Sequence, residues 1–77
     1  MLPLSIAPIN VVLKIKRIVV QGKQKNFLES LGFGVDMTIT VIENINGNLI
    51  VILKNVRMAL DSNIASKIFV EEGKEEV

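Results

Sequence analysis

From Val11 onward, apolar and polar residues alternate in short runs separated by Gly, Asn and Asp. Leu13 and Ile15 alternate with Lys14 and Lys16, the period of a strand with one face buried, and the first strand is assigned to Val11–Val20. The phase then slips, because Ile18 and Val20 share the parity of the lysines. A strand that changes phase carries an extra residue, so a β-bulge or sharp bend is predicted near Lys16–Arg17. Met37, Ile39 and Val41 alternate with Thr38 and Thr40 in a second strand, Met37–Glu43. Asn46-Gly47 follows, a dipeptide suited to the positive φ of a two-residue hairpin turn. The third strand, Asn48–Lys54, is apolar on both faces: either it is central and covered on both sides, or its second face meets a partner. Lys54-Asn55 turns the chain into a fourth strand, Val56–Leu60.

Two stretches break the strand period. Gln21–Lys25 is a polar connection with Gly22 as its turn, and a helix is predicted from about Lys23 to Leu31. Leu28 and Leu31 are three apart and are assigned as its buried stripe, with Phe27 and Phe33 to the sides, where each is either packed on the core or exposed. Gly32 is the natural stop, where a left-handed residue is least unfavourable. Asp61-Ser62-Asn63 has the chemistry of an N-cap opening a single helical turn, with Ala65 packed inward. Ile68–Val70 is the fifth strand. Met1–Asn10 reads as an extended lead-in with Leu4 and Ile6 tucked beneath the domain, and Glu71–Val77 as a frayed acidic tail. The expected fold is mostly β with one short helix: a small, strongly curved antiparallel barrel of about five strands, whose closure would hide the sheet edges.

Composition narrows the chemistry. The 77 residues suit one domain, expected over 1–71, with 72–77 as the tail. Apolar residues make up 49% and aromatics only 4%, so the core is aliphatic. There is no Cys and no His, which excludes disulfides, thiol chemistry, Cys/His zinc sites and Ser-His-Asp catalysis. The serines have no base to activate them, so no enzyme activity is expected. Carboxylates outside the tail (Glu29, Asp36, Glu43, Asp61) are scattered, and neither a metal site nor a cofactor is expected. Net charge is +1, although five of the nine basic residues lie between Lys14 and Lys25. No aromatic residue interleaves them, which argues for a solvated face over nucleic-acid binding. The longest clear apolar run, Leu49–Leu53, is far short of a bilayer span, and the N-terminus lacks the charged region of a signal peptide. A cytoplasmic protein is expected.

Three blocks then carry a family resemblance. Leu28-Glu29-Ser30-Leu31-Gly32-Phe33 is similar to a Leu-x-x-Leu-Gly-hydrophobic signature; Ile39-Thr40-Val41 follows at matching spacing; and Met58-Ala59-Leu60 is followed by Ala65, Ile68 and Val70. Their order resembles the ferrous iron transport protein A (FeoA) family over roughly Leu4–Glu71. Asn10, Asp36 and Asn55 stand where that family often has Gly, and Asn and Asp are the non-glycine types that best tolerate positive φ. The resemblance implies an SH3-like barrel in ferrous iron transport and iron homeostasis, for which transition-metal binding is a family term. It also implies contact with the cytoplasmic portion of a FeoB-like ferrous iron permease. The residues assigned to that contact are Lys23, Lys25, Phe27, Gly32, Phe33, Gly34, Val35 and Asp36. The alternative is a free-standing relative of the C-terminal domain of metal-dependent transcription regulators, binding a peptide segment or self-associating as a weak homo-oligomer. No membrane insertion is expected in either case.

Overall fold

The computed structural model describes residues 1–73. Six strands form one antiparallel sheet: β1 (Leu2–Pro3), β2 (Val12–Ile18), β3 (Thr38–Ile45), β4 (Asn48–Leu53), β5 (Val56–Leu60) and β6 (Ile68–Glu72). A 3-10 turn (Leu4–Ile6), the helix α1 (Gly22–Ser30) and the single turn α2 (Ser62–Ala65) complete the chain. The hydrogen-bonded order is β1-β6-β2-β3-β4-β5. Among the described residues the expected closure is therefore absent: β5 and the short β1 are the edges of a strongly curved, SH3-like sheet.

Curvature comes from two bulges. In β2 the register against β6 shifts between Ile15 and Arg17, which inserts Lys16 where the alternation slips. Leu13 and Ile15 face the core before the bulge, and Ile18 pairs with the buried Ile68 after it. A second bulge, which was not expected, lies in β3, where Val41 pairs with Val51 and Glu43 with Ile50. The extra residue, Ile42, turns Asn44 to the side of the buried Leu49 and leaves Ile45 exposed.

The inner face is an aliphatic core of Leu13, Ile15, Ile39, Val41, Leu49, Val51, Leu53, Ile68 and Val70, closed by Leu4 at one end and by Leu28 with Phe33 at another. β4 lies between β3 and the edge strand β5, with Leu49, Val51 and Leu53 buried and Ile50 and Ile52 half-buried on the outer face. Three expectations for the ends need correction. The lead-in forms a sixth strand, because Leu2 and Pro3 pair with Val70 and Phe69. Leu4 is buried but Ile6 is exposed, since the 3-10 turn sends its third residue to solvent. Glu71 and Glu72 continue β6, opposite Lys14 and Leu13, instead of belonging to a frayed tail; the rest of the expected tail, residues 74–77, lies outside the described residues.

The Asn46-Gly47 turn forms as expected, with φ of 55° and 87°. It is held from both sides. Asn44 Oδ1 accepts from the Gly47 N–H at 2.9 Å and its Nδ2 donates to the Ser5 carbonyl at 2.9 Å. Asn48 Oδ1 accepts from the Ser62 N–H at 2.9 Å, and Asp61 Oδ1 caps α2 through the Ile64 N–H at 2.9 Å. A Cβ on Gly47 would lie 3.0 Å from Ser62 Cβ. Gly47→Ala is therefore expected to destabilise the fold by about 1–3 kcal/mol in chemical denaturation, combining backbone strain with this contact. Adding Ser62→Gly should recover the contact part and leave the backbone part.

Candidate functional site: the cleft at the end of the helix

Helix α1 is a polar helix that the core holds by one residue. Its residues are Gly-Lys-Gln-Lys-Asn-Phe-Leu-Glu-Ser, and Leu28 alone is buried, at 1% exposure. Nine residues do not form a stable helix in isolation, so its termination and docking decide its position. The Gly32 N–H donates to the Glu29 carbonyl at 3.0 Å, and the Phe33 N–H donates to the Leu28 carbonyl at 3.0 Å. With Gly32 at φ 100°, these two bonds make a Schellman closure. That motif brings the residue after the glycine against the residue four before it. Here the pair is Phe33 and Leu28, both in the core.

This geometry reverses the expectation for Leu31 and decides between core and surface for the two phenylalanines. Leu31, assigned to the buried stripe, is 37% exposed because it sits at the helix C-cap, past the face that Leu28 occupies. Phe33, assigned to the contact surface, is only 3% exposed because the closure folds it inward. Phe27 does lie outside, at 55%. The signal for this lay in the sequence: Leu-x-x-x-Gly-hydrophobic is the spacing a Schellman closure requires, and it favours Leu28 over Leu31.

After Phe33 the chain turns back into the sheet. Asp36 takes φ 73°, its N–H donates to the Ile15 carbonyl at 2.7 Å, and the Ile15 N–H donates to the Met37 carbonyl at 2.9 Å. Lys16, the bulge residue of β2, reaches Asp36 Oδ1 at 3.4 Å. Both groups are substantially solvated, so this pair adds little stability. It does connect the β2 bulge to the turn that follows the helix.

Between α1, this turn and the end of β2 lies a cleft of about 160 Å³, lined by Ile18, Val20, Lys25, Leu28, Glu29, Phe33, Gly34 and Val35. Of the residues assigned from sequence, it brings together Lys25, Phe33, Gly34 and Val35. Phe33 supplies floor and not rim. Lys23 and Phe27 project from the helix outside it, and Gly32 and Asp36 flank it in the chain. Ile18, Val20, Leu28 and Glu29 are lining residues that the sequence reading did not assign to the site. The floor is apolar, the rim carries one cation and one carboxylate, and Val35 is an exposed apolar edge. Among the described residues there is no group of three or more Asp or Glu side chains that could hold a metal ion, and no helix long and apolar enough to cross a membrane.

If the closure holds the site, its members should differ sharply in stability effect. Leu28→Ala and Phe33→Ala are each expected to lose about 2–5 kcal/mol in thermal or urea unfolding. Phe27→Ser should change stability by about 0.5 kcal/mol or less, as exposed positions do.

The profile of the FeoA domain matches residues 2–72. No curated protein sequence matches the chain. Among solved structures, an iron uptake regulatory protein (FeoA) superposes with TM-score 0.79 at 24% identity, over 92% of this chain and 95% of that one. Iron(II) transport protein A from Clostridium thermocellum gives TM-score 0.85 at 25% identity, over 92% of this chain and 45% of that one. ScaR with bound Zn2+ gives TM-score 0.80 at 22% identity, over 94% of this chain and 37% of that one. The chain thus spans less than half the length of the last two. With one domain profile covering nearly the whole sequence and the sheet matching in three dimensions, this chain belongs to the FeoA domain family.

Proposed function

We propose that the chain is a cytoplasmic accessory protein of ferrous iron uptake that acts by contact with the cytoplasmic portion of a FeoB-like permease. The cleft beside α1 is the contact. The observation that carries this reading is the convergence of Lys25, Phe33, Gly34 and Val35 on one apolar concavity, next to a helix whose outer surface keeps Phe27 and Leu31 exposed. An apolar side chain of the partner enters the cleft over Phe33. Val35 and Phe27 add apolar contact at its sides, and Lys23 and Lys25 steer an acidic partner surface. Membership of the FeoA domain family supports ferrous iron transport as the setting. The chain contributes no covalent chemistry; its effect on the permease is to favour whichever state presents the complementary surface.

A second reading takes support from the fold shared with part of ScaR: a free-standing module that holds a peptide segment in the same cleft. The two readings part in a pull-down with the cognate permease's cytosolic domain. Capture of that domain in at least one nucleotide state supports the permease contact, and Val35→Asp should weaken it about tenfold or more while leaving the melting temperature within a few degrees. No capture in any nucleotide state contradicts it. Unchanged capture by Val35→Asp and Phe27→Ser moves the contact away from this cleft.

A further inference from the structure

The open edge of β5 lies away from the α1 cleft and is independent of the reading above. β4 and β5 are joined by the two-residue turn Lys54-Asn55, both at positive φ, with Leu53 paired to Val56. In such a hairpin the flanking pair exchanges both backbone hydrogen bonds and alternate pairs do so thereafter. Val56, Met58 and Leu60 therefore direct their N–H and C=O groups to β4. Arg57 and Ala59 direct theirs outward, to an edge that no other strand among the described residues covers.

The outer face beside this edge has its own character. An open groove of about 560 Å³ is lined by Glu43, Ile45, Asn48, Leu49, Ile50, Ala59, Leu60 and Asp61. Among the described residues it holds two carboxylates and no cation. Arg57 lies on the same face as Ala59, paired with Ile52, and is exposed. The one ion pair among the described residues is Lys16–Asp36, so Arg57, Glu43 and Asp61 have no ion-pair partner among them, and Asp61 uses Oδ1 alone, as the cap of α2.

We propose that β5 pairs antiparallel with β5 of a second copy of this chain about a two-fold axis at Ala59. This register joins the two outward-facing hydrogen-bonding residues Ala59 and Ala59 directly. It sets Arg57 of each copy opposite Asp61 of the other, at the acidic end of the groove, and Met58 opposite Leu60. Asp61 is extended, with its carbonyl already accepting from the Ala65 N–H at 2.9 Å, so it meets Arg57 through its carboxylate and the backbone pairing centres on Ala59. Charge selects this register over its neighbour centred on Met58, which sets Arg57 opposite Ala59 and leaves Asp61 without a cation. A second copy therefore supplies both things the edge lacks: a strand for its free backbone groups and a cation for the groove. The paired strands are short, so the dimer is weak and concentration-dependent, in the class of small interfaces.

Sedimentation equilibrium and oxidative cross-linking of the full chain test it. Self-association in the micromolar to millimolar range is expected. Ala59→Pro should weaken it at least tenfold with the circular dichroism spectrum retained, because that N–H points away from β4 and its loss breaks no internal bond. Arg57→Asp should do the same by setting like charges opposite each other. In this cysteine-free chain, Ala59→Cys should oxidise to a disulfide dimer, since a hydrogen-bonded antiparallel pair lies about 5.5 Å apart at Cα, within disulfide range. Lys23→Cys, exposed on α1, should cross-link at least tenfold more slowly. A monomer up to about 1 mM, a dimer indifferent to Ala59→Pro, or equal cross-linking at positions 23 and 59 would overturn the proposal. So would capture of a basic extended peptide at this edge with no self-association, which would assign the edge to peptide binding.

Discussion

The structure depends on how one helix ends. A nine-residue polar helix has little reason to persist, and α1 offers the core a single leucine. The Schellman closure at Leu28, Gly32 and Phe33 doubles that attachment, because ending the helix and burying Phe33 are the same event. Lys54, at the tip of the β4–β5 hairpin, lies over the glycine: a Cβ there would come within 3.3 Å of its Nζ. A cation at the C-terminal end of a helix is favourably placed against the last carbonyls. From this closure follow the direction in which the chain re-enters the sheet, the turn at Asp36, and the cleft between helix and strand.

Much of the sheet was legible because its signals are local. The phase slip at Lys16–Arg17 marks a real bulge. The paired positive-φ turns occur where Asn-Gly and Lys-Asn stand, and Asp61 caps the helical turn it was expected to cap. Asn10 and Asp36 adopt positive φ where the family often has glycine, and so does Asn55. What the sequence did not disclose was mostly tertiary. Leu2–Pro3 is too short to carry a period and becomes a strand only because β6 is there to pair with. The Ile42 bulge does have a local trace, the adjacent Val41-Ile42, but the strand ends so soon after it that no second phase develops.

The site was half legible for a related reason. Helical spacing places Leu28 and Leu31 on one face, which is right for a helix that continues. This one stops, and the capping geometry overrides the period, exposing Leu31 and burying Phe33. The residues that gather at the cleft come from three places in sequence: the end of β2, the helix, and the turn after it. Only the last two were assigned, because nothing in Ile18 or Val20 distinguishes a cleft wall from ordinary core. The outer face of β3–β5 was legible only as a question, namely why Leu49–Leu53 is apolar on both sides. Pairing with β3 and β5 answers for the backbone, and the half-buried Ile50 and Ile52 remain as an apolar surface beside an open edge.

The central claim is that the cleft closed by Leu28 and Phe33 is where a partner is read. Backbone amide chemical shifts of the isotope-labelled chain, followed as the cognate permease's cytosolic domain is titrated in, test this most directly. The account predicts that the largest perturbations fall on Lys25, Leu28, Gly34 and Val35, with β4 and β5 nearly silent. Perturbations confined to the outer face of β3–β5, or none at a saturating excess of the partner, would contradict it.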